Sequence, residues 1–291
     1  MKLINKYIPK IKGRLFSSIA YKYDKDRVLS YWYRGDYNVG DLVGPYLLNN
    51  LFFKKPFHIR DIKQSEIKNK YVLYSVGSIL NSTNRENMVV WGSGSIRDKI
   101  DIRYSLDKVY LIRGPLTYKN LVDKGIETPK SFGDPALILS DIYKPKNNNK
   151  EFEVGITPNH KDVSWAKSIF KNTKINKVKL IDPRVNIHNY INQVVKCNLI
   201  VSTSLHGIII AHSYGIPTLW IRKNNNKNGG DFKYYDYYYS FNTEPVFVDF
   251  TEVSEINSSL ISKNKFIKPD ISELKSNIYN TSKKIINDNV L

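Results

Sequence analysis

The residues with the clearest chemical potential lie at 202–206, where the chain reads Ser-Thr-Ser-Leu-His. An apolar run at 199–201 before them predicts a buried strand, and the apolar pattern at 205–214 after them predicts a helix. His206 would then lie in the first turn of that helix, directly beyond the end of a strand. Free amide groups and the positive end of the helix dipole favour anions there, and an imidazole exchanges protons near neutral pH. The stretch therefore predicts an anion site built around His206, and the small polar residues at 202–204 suit a turn and a helix N-cap.

Arg113 occupies the same kind of position elsewhere in the chain. A strand pattern at 109–112 precedes it, and Pro115 fits the first position of a helix that ends before Gly125. A guanidinium group together with free helix amides can hold a phosphate or a carboxylate. Arg113 is therefore a candidate anion anchor, and a surface salt bridge is the alternative for a single arginine.

A third loop, RGDYNVGD, joins a predicted strand at 28–33 to a helical pattern at 42–53. The spacing of Gly35 and Gly40 is not that of a dinucleotide-binding fingerprint. Glycines in such a loop indicate that its backbone approaches another group closely. Asp41 either caps the following helix or faces a ligand, and the sequence leaves both interpretations open.

The elements that must position these residues alternate between strand and helix along the chain. Such alternation predicts an α/β protein with mostly parallel sheets and helices on both faces. The linker-like stretch KPKNNNK at 144–150 divides the pattern. We expect two Rossmann-like domains, residues 1–145 and residues 150–291, that face each other across a cleft. The other predicted strands lie at 71–76, 88–91, 152–156, 178–181, 218–221 and 246–250, further helices begin near 162 and span 187–195, and a C-terminal helix closes the second domain.

The composition is that of a basic globular protein. Its 45 Lys and Arg residues against 27 Asp and Glu give a formal charge of +18, which attracts phosphate-bearing partners. The lysines are spread through asparagine-rich loops without a zinc-finger, RRM or helix-turn-helix signature, so no nucleic-acid partner is expected. The single cysteine, Cys197, excludes a disulfide framework and an all-cysteine metal site, and its apolar surroundings favour a core position.

The N-terminal segment has a basic amphipathic pattern. Isoleucine and leucine recur at helical spacing up to Ile19, with lysines and Arg14 between them. Such a helix either lies on an anionic membrane surface or packs on the core of the protein. The sequence lacks an apolar run long enough to span a bilayer and lacks the apolar core of a signal peptide. We expect a cytoplasmic protein, peripheral at the inner face of the cytoplasmic membrane if the helix binds there.

Eight motifs between residues 31 and 240 together resemble those of the polysaccharide pyruvyl transferase family, in the family's order. They are most similar to the branch that acts in succinoglycan-type exopolysaccharide synthesis. The motifs are GDYNVGD at 35–41, VGSIL at 76–80, VWGSGS at 90–95, IRGPLTYKNL at 112–121, FGDPALIL at 132–139, GITPNH at 155–160, STSLHGIIIAHSYGIP at 202–217 and FKYYDYYYS at 232–240.

The resemblance implies a GT-B-like fold and the transfer of pyruvate from phosphoenolpyruvate onto two hydroxyls of a sugar, leaving a cyclic ketal. The acceptor would belong to a surface polysaccharide or exopolysaccharide, or to its lipid-linked precursor. No metal and no other cofactor is implied.

The resemblance also implies roles for individual residues. His206 would serve as the general acid or as a ligand of the donor phosphate. Family members often have Arg-Leu-His where this chain has Ser-Leu-His at 204–206, so one phosphate contact of the motif is missing. Candidates for the missing charge are Arg113, His160, Arg222 and Lys233. The donor-binding set is Arg113, Ser204, His160, Lys233 and Gly94, and the acceptor-binding set is Asn38 and Asp41.

Two other functions remain open. A glycosyltransferase of the same architecture would use a nucleotide-sugar and would need an acidic residue to hold the ribose, which the helix at 205–214 lacks. A non-enzymatic module would bind an anionic polysaccharide or nucleic acid through the basic surface and would tolerate His206→Ala. The aromatic run at 232–240 either caps a core or stacks on carbohydrate, and its spacing does not separate the two.

Overall fold

The computed structural model describes residues 17–18, 20–82, 87–100, 108–222 and 230–291. These residues form two five-stranded sheets in which all neighbouring strands are parallel. In spatial order the first sheet contains β2 (Lys55–His58), β1 (Arg27–Tyr31), β3 (Val72–Tyr74), β4 (Met88–Trp91) and β5 (Lys108–Leu111). The second contains β7 (Val178–Leu180), β6 (Phe152–Thr157), β8 (Cys197–Ser202), β9 (Thr218–Arg222) and β10 (Phe247–Asp249). The two sheets therefore share one strand order.

Helices connect the strands and cover the sheets. In the first half these are α1 (Val39–Leu51), α2 (Gln64–Ile67), α3 (Pro115–Val122) and α4 (Leu139–Ile142). In the second half they are α5 (Val163–Asn172), α6 (Ile187–Val194), α7 (Leu205–Ser213), α8 (Phe232–Tyr239), α9 (Ser258–Lys263) and α10 (Ser272–Asn287).

The strand predictions rest on continuous apolar runs, and β4 illustrates why they succeed. All four of its residues, Met88, Val89, Val90 and Trp91, are completely buried. A parallel sheet covered by helices on both faces has no solvent-exposed side, so its central strands lose the alternation of a half-exposed strand. The α/β class and the two parallel sheets are thereby confirmed.

Strand β2 was missed by the sequence prediction. Its sequence, Lys-Pro-Phe-His, begins with a charge and contains Pro56, which cannot donate to a sheet. The strand lies at the edge of the first sheet and pairs only with β1 among the described residues, so the missing amide is tolerated there.

The aromatic run at 232–240 forms α8 and the turn that follows it. Tyr234, Tyr237 and Tyr238 are buried, and the Tyr234 ring stacks on Trp220 with the ring centroids 4.2 Å apart. For these three tyrosines the interpretation as a cap over the core is confirmed.

The two halves share a continuous apolar core and are bridged by the C-terminal helix. Side chains of α1, α6 and α7 belong to the same buried cluster. The Trp91 indole Nε1 donates to Thr281 Oγ1 of α10 at 3.1 Å, and Tyr110 donates to Asp288 at 2.5 Å. The last helix of the chain thus packs on the first sheet and ties the two halves together.

Several sequence features have simple outcomes. Cys197 is buried, as predicted, and the stretch at 144–150 contains no helix or strand. Residues 1–16 and residue 19, which carry most of the predicted N-terminal helix, lie outside the described residues. Within the part that is described, no helix combines the length and apolar character needed to cross a membrane.

Candidate active site

A cavity of about 400 Å³ lies where the carboxyl ends of the two sheets meet. The loops after β1 and β3 line it from the first half, and those after β6 and β8 line it from the second. In each sheet these two strands are neighbours, and the chain leaves them toward opposite edges of the sheet. The two loops therefore separate and leave a crevice in which ligands can bind. Six residues singled out in the sequence line this cavity: Asn38, Asp41, His160, Ser204, His206 and Lys233.

His206 lies in the first turn of α7, as predicted. Helix α7 starts here because Ser204 has an extended backbone and its Oγ accepts the Gly207 amide at 3.4 Å. The buried Nε2 atom of His206 has no hydrogen-bond partner among the described residues. Burial, followed by the positive charges of Lys233 and Arg113, lowers the pKa of His206 to about 3. The imidazole is therefore neutral at neutral pH and serves as a hydrogen-bonding group.

Gly40 explains how the first half reaches this histidine. It lies in the first turn of α1, and a Cβ atom on it would lie only 2.3 Å from the Nδ1 atom of His206. A side chain at position 40 would displace the imidazole. The close approach that the loop glycines predicted is therefore an approach to His206 across the two halves.

Lys233 enters the cavity from the first turn of α8. Its nearest described aromatic contact is the Tyr234 ring, 5.2 Å from Nζ, and it forms no salt bridge within the described part of the chain. Burial and then Arg113 lower its pKa to about 8, against the opposing charges of Asp162 and Asp41. Lys233 is therefore a protonated cation at neutral pH in the cavity wall, and no carboxylate of the described residues forms a salt bridge with it.

Asn38 and Asp41 face the cavity from the opposite half. Asn38 caps α1, because its Oδ1 accepts the Gly40 amide at 3.4 Å, and its Nδ2 donates to Asp41 Oδ2 at 3.2 Å. Asp41 is therefore not the cap and lies in the cavity wall, whereas its contact with a ligand stays a prediction. Burial raises the pKa of Asp41 to about 6, against the Asn38 hydrogen bond and the charge of Lys233.

His160 lies in the turn that follows β6 and meets the first half through Asp36. Its Nε2 atom is 3.6 Å from Asp36 Oδ2, whereas its buried Nδ1 lacks a partner among the described residues. Burial lowers the pKa of His160, against the charge of Asp36. His160 is thus a polar but weakly basic group of the cavity wall.

Arg113 and Gly94 do not line the cavity. The fully buried Arg113 guanidinium donates from Nε to Asp236 Oδ2 at 3.0 Å, from Nη1 to Ser78 Oγ at 2.5 Å and from Nη2 to the Ser95 carbonyl at 2.6 Å. Gly94 makes room for it, since a Cβ there would lie 2.4 Å from Arg113 Cζ. Arg113 lies behind Ser78 of the cavity wall, and the donor contact of Arg113 and Gly94 stays a prediction.

Asp236 is the residue whose role sequence reasoning missed. Besides Arg113 it accepts two hydrogen bonds from Thr117 at the start of α3, from the amide at 2.8 Å and from Oγ1 at 2.7 Å. Asp236 therefore ties α8, the helix that carries Lys233, to the first half. The available signal was a lone carboxylate inside an aromatic run, three residues after a lysine.

Other polar groups have structural partners. His212 accepts and donates within the core, with Nδ1 2.9 Å from the Tyr237 hydroxyl and Nε2 2.8 Å from Thr218 Oγ1, as expected of a structural histidine. Asp162 accepts from Thr203 Oγ1 at 2.9 Å. Among the described residues, no group of three or more histidine, cysteine or acidic side chains is arranged to hold a metal ion.

Comparisons of the sequence with known proteins give a family and relatives. The family model described as polysaccharide pyruvyl transferase matches residues 18–225. A relative from Acanthamoeba polyphaga mimivirus, named uncharacterized protein L143, is 29% identical over 226 residues, which are 76% of each chain. Succinoglycan biosynthesis protein ExoV of Rhizobium meliloti (strain 1021) is 24% identical over 182 residues, 59% of this chain and 54% of ExoV. Because the family match covers well over half of its length, the chain belongs to the polysaccharide pyruvyl transferase family.

Proposed function

We propose that this protein transfers the pyruvyl group of phosphoenolpyruvate onto two hydroxyls of a sugar, forming a cyclic ketal. The acceptor belongs to an exopolysaccharide or surface polysaccharide, or to its lipid-linked precursor, and the two halves form a GT-B-like pair. The observation that carries the proposal is a cavity with an unpaired lysine and a helix N-terminus on one side and a carboxylate on the other.

The donor requires positive charge, because phosphoenolpyruvate carries a phosphate and a carboxylate. Of the four candidates for the charge missing at Ser204, Arg113 is bound to Asp236, and Arg222 is bound to both oxygens of Asp249 at 2.7 Å. His160 is partly buried and its pKa is lowered. Lys233 alone among the four is both a cation at neutral pH and part of the cavity wall. We assign the missing charge to Lys233.

The Lys233 ammonium also suits the proton that ketal formation needs. In the first step the Lys233 ammonium donates a proton to the methylene carbon of phosphoenolpyruvate. The electron pair of the carbon–carbon double bond forms the new carbon–hydrogen bond. The first sugar hydroxyl attacks the resulting cation at the neighbouring carbon, and its proton passes to Asp41. An acid and a base with pKa values near 8 and 6 are both in their active forms at neutral pH.

In the second step the carbon–oxygen bond to phosphate breaks, and the phosphate leaves with the bonding electrons. The second hydroxyl then closes the ketal. The two hydroxyl protons, one of them held by Asp41, are then redistributed. One returns to the Lys233 amine and the other leaves with the phosphate, so Asp41 is ionised again and the cycle consumes no net proton. His206, neutral in the free protein, donates an imidazole N–H to the donor phosphate beside the free amides of α7.

A phosphate-release assay with phosphoenolpyruvate and a panel of candidate glycans tests the proposal. We expect phosphate release that depends on a glycan acceptor and a product that carries a carboxyethylidene group. Turnover of a nucleotide-sugar, with no phosphate release from phosphoenolpyruvate on any acceptor, would instead support the glycosyltransferase alternative and overturn the proposal.

A further inference from the structure

Two of the most exposed aromatic rings of the described residues lie in one short loop beside the cavity. Tyr33 and Tyr37, between β1 and α1, are 48% and 51% exposed, and Tyr33 forms part of the cavity wall. Aromatic side chains gain the most from burial, so two exposed rings in one loop of which Tyr33 lines the cavity indicate a surface that another group covers.

The loop that carries these rings is supported by contacts of Trp32 and Arg34 with neighbouring residues. Trp32 packs edge-on against His58, with ring centroids 4.5 Å apart, and its carbonyl accepts the His58 Nε2–H at 2.9 Å. Arg34 lies over the Trp32 ring at 4.8 Å and forms an ion pair with Asp61 at 2.6 Å. These contacts tie the loop to β2 and to the turn after it. The exposed tyrosines are thus presented on a supported loop.

Gly35 allows the Tyr33 ring to pack closely against the loop backbone. A Cβ atom on Gly35 would lie 2.3 Å from Cε1 of Tyr33, so the tyrosine ring rests directly on the loop backbone. One side of the ring is therefore backed by the protein, while close to half of the residue remains open to solvent. The two loop glycines have parallel uses, since Gly35 accommodates the Tyr33 ring and Gly40 accommodates the His206 ring.

The size of the cavity limits what can lie inside it. At about 400 Å³ it is near the lower end of the range of about 300–1,000 Å³ that small-molecule sites occupy. A donor and one sugar ring account for such a volume, so any further sugar of an acceptor chain must lie outside. Tyr33 lines the cavity, and Tyr37 directly precedes the lining residue Asn38 in the same loop, so this loop offers two exposed rings to a chain that extends beyond the cavity.

We infer that Tyr33 and Tyr37 form a subsite for the second sugar ring of the acceptor, and that the protein therefore recognises at least a disaccharide. This inference rests on the proposed function, because it takes the ring inside the cavity to be the one that receives the pyruvyl group. A pyranose ring has an apolar face of C–H groups and a rim of hydroxyls. Tyrosine rings match the face, and the neighbouring Arg34 and Asp61 offer hydrogen-bonding groups to the rim.

Sugar binding measured without donor tests the subsite directly. The probes are methyl β-glucoside against cellobiose and methyl β-galactoside against lactose, titrated by ligand-observed NMR. The variants are Tyr33→Ala, Tyr37→Ala and Tyr37→Phe. The control is Tyr23→Ala, because Tyr23 is 75% exposed but precedes β1, at the opposite end of the same strand.

We expect the wild-type protein to bind at least one disaccharide about three- to tenfold more tightly than its monosaccharide partner, the gain typical of one aromatic contact. Tyr33→Ala and Tyr37→Ala should remove that difference, whereas Tyr37→Phe and Tyr23→Ala should keep it. Equal binding of mono- and disaccharides, an unchanged preference in both alanine variants, or no binding of any probe would overturn the inference. Phosphate release from phosphoenolpyruvate is measured separately, so failure of the subsite and failure of the proposed function are distinguishable.

Discussion

The two halves of the molecule have the same strand order and place loops at the same sheet positions, yet those loops carry opposite chemistry. Loops of the first half bring Asn38, Asp41 and exposed tyrosines to the cavity. Loops of the second half bring His206 and Lys233, together with the free amides of α7. A common scaffold thus fixes where ligands bind, and the side chains at the strand ends decide which ligand binds on each side. This contrast supports the proposal that the anionic donor binds to the second half and the sugar to the first.

The division is not complete, because residues of the first half contact functional groups of the second. Gly40 of the first half contacts the His206 ring, and Arg113 of the first half binds Asp236 on the helix that carries Lys233. The donor side therefore depends on contacts from the acceptor side. Each of the following substitutions tests one part of this arrangement.

Lys233→Met should have the largest effect. It removes the unpaired cation and the proposed proton source, so turnover of phosphoenolpyruvate should fall by about 10³-fold. Steady-state phosphate release measures the loss, and circular dichroism checks that the fold is retained. Lys171→Met, on the exposed side of α5, is the matched control and should be near wild type. Comparable activity of the two variants would remove Lys233 from the mechanism.

Asp236→Asn should destabilise the protein by about 3–5 kcal/mol, because it leaves the buried Arg113 without its countercharge. Urea unfolding measures the change in the free energy of unfolding. Asp123→Asn breaks an ion pair whose side chains are 69% and 56% exposed, and it should cost about 0.5 kcal/mol or less. Equal costs for the two variants would mean that the Arg113–Asp236 pair does not hold the halves together.

Gly40→Ala should push the His206 ring out of place and cost about 1–3 kcal/mol of stability through overpacking. Donor binding should weaken along with it. In a His206→Ser background the same alanine has no ring to displace, so its stability cost should largely vanish. A cost that persists in that background would show that Gly40 is required for its own backbone and not for His206.

The pH dependence of kcat/KM should be bell-shaped, because the mechanism needs ionised Asp41 and protonated Lys233 in the free enzyme. Activity should rise as the pH increases through about 6, where Asp41 loses its proton, and fall above about 8, where Lys233 loses its own. Asp41→Asn should remove the acidic limb from the residual activity. An acid with the pKa of His206, about 3, would already be deprotonated throughout this range.

The sequence was sufficient for the architecture and for most of the cavity wall. Buried parallel strands read as apolar runs, and cavity-lining residues follow the ends of such strands, so the positions of His206 and Asp41 in the cavity wall could be predicted without coordinates. The edge strand β2 could not be predicted in this way, because Pro56 and the preceding lysines argue against a strand unless its edge position is known. Arg113 illustrates a second limit. Its place before a helix was predicted correctly, but its partner Asp236 is 123 residues away and only the fold brings them together.

The most direct test of the central claim is the binding of phosphoenolpyruvate, measured by calorimetry at neutral pH without any acceptor. The wild-type protein should bind the donor, and Lys233→Met should weaken binding by about tenfold or more, as expected for the loss of a charged contact. Arg222→Met, which removes another candidate for the missing charge, should bind like the wild type because Arg222 is bound to Asp249. Wild-type affinity in Lys233→Met, or no binding by the wild-type protein, would contradict the assignment of the donor to the second half.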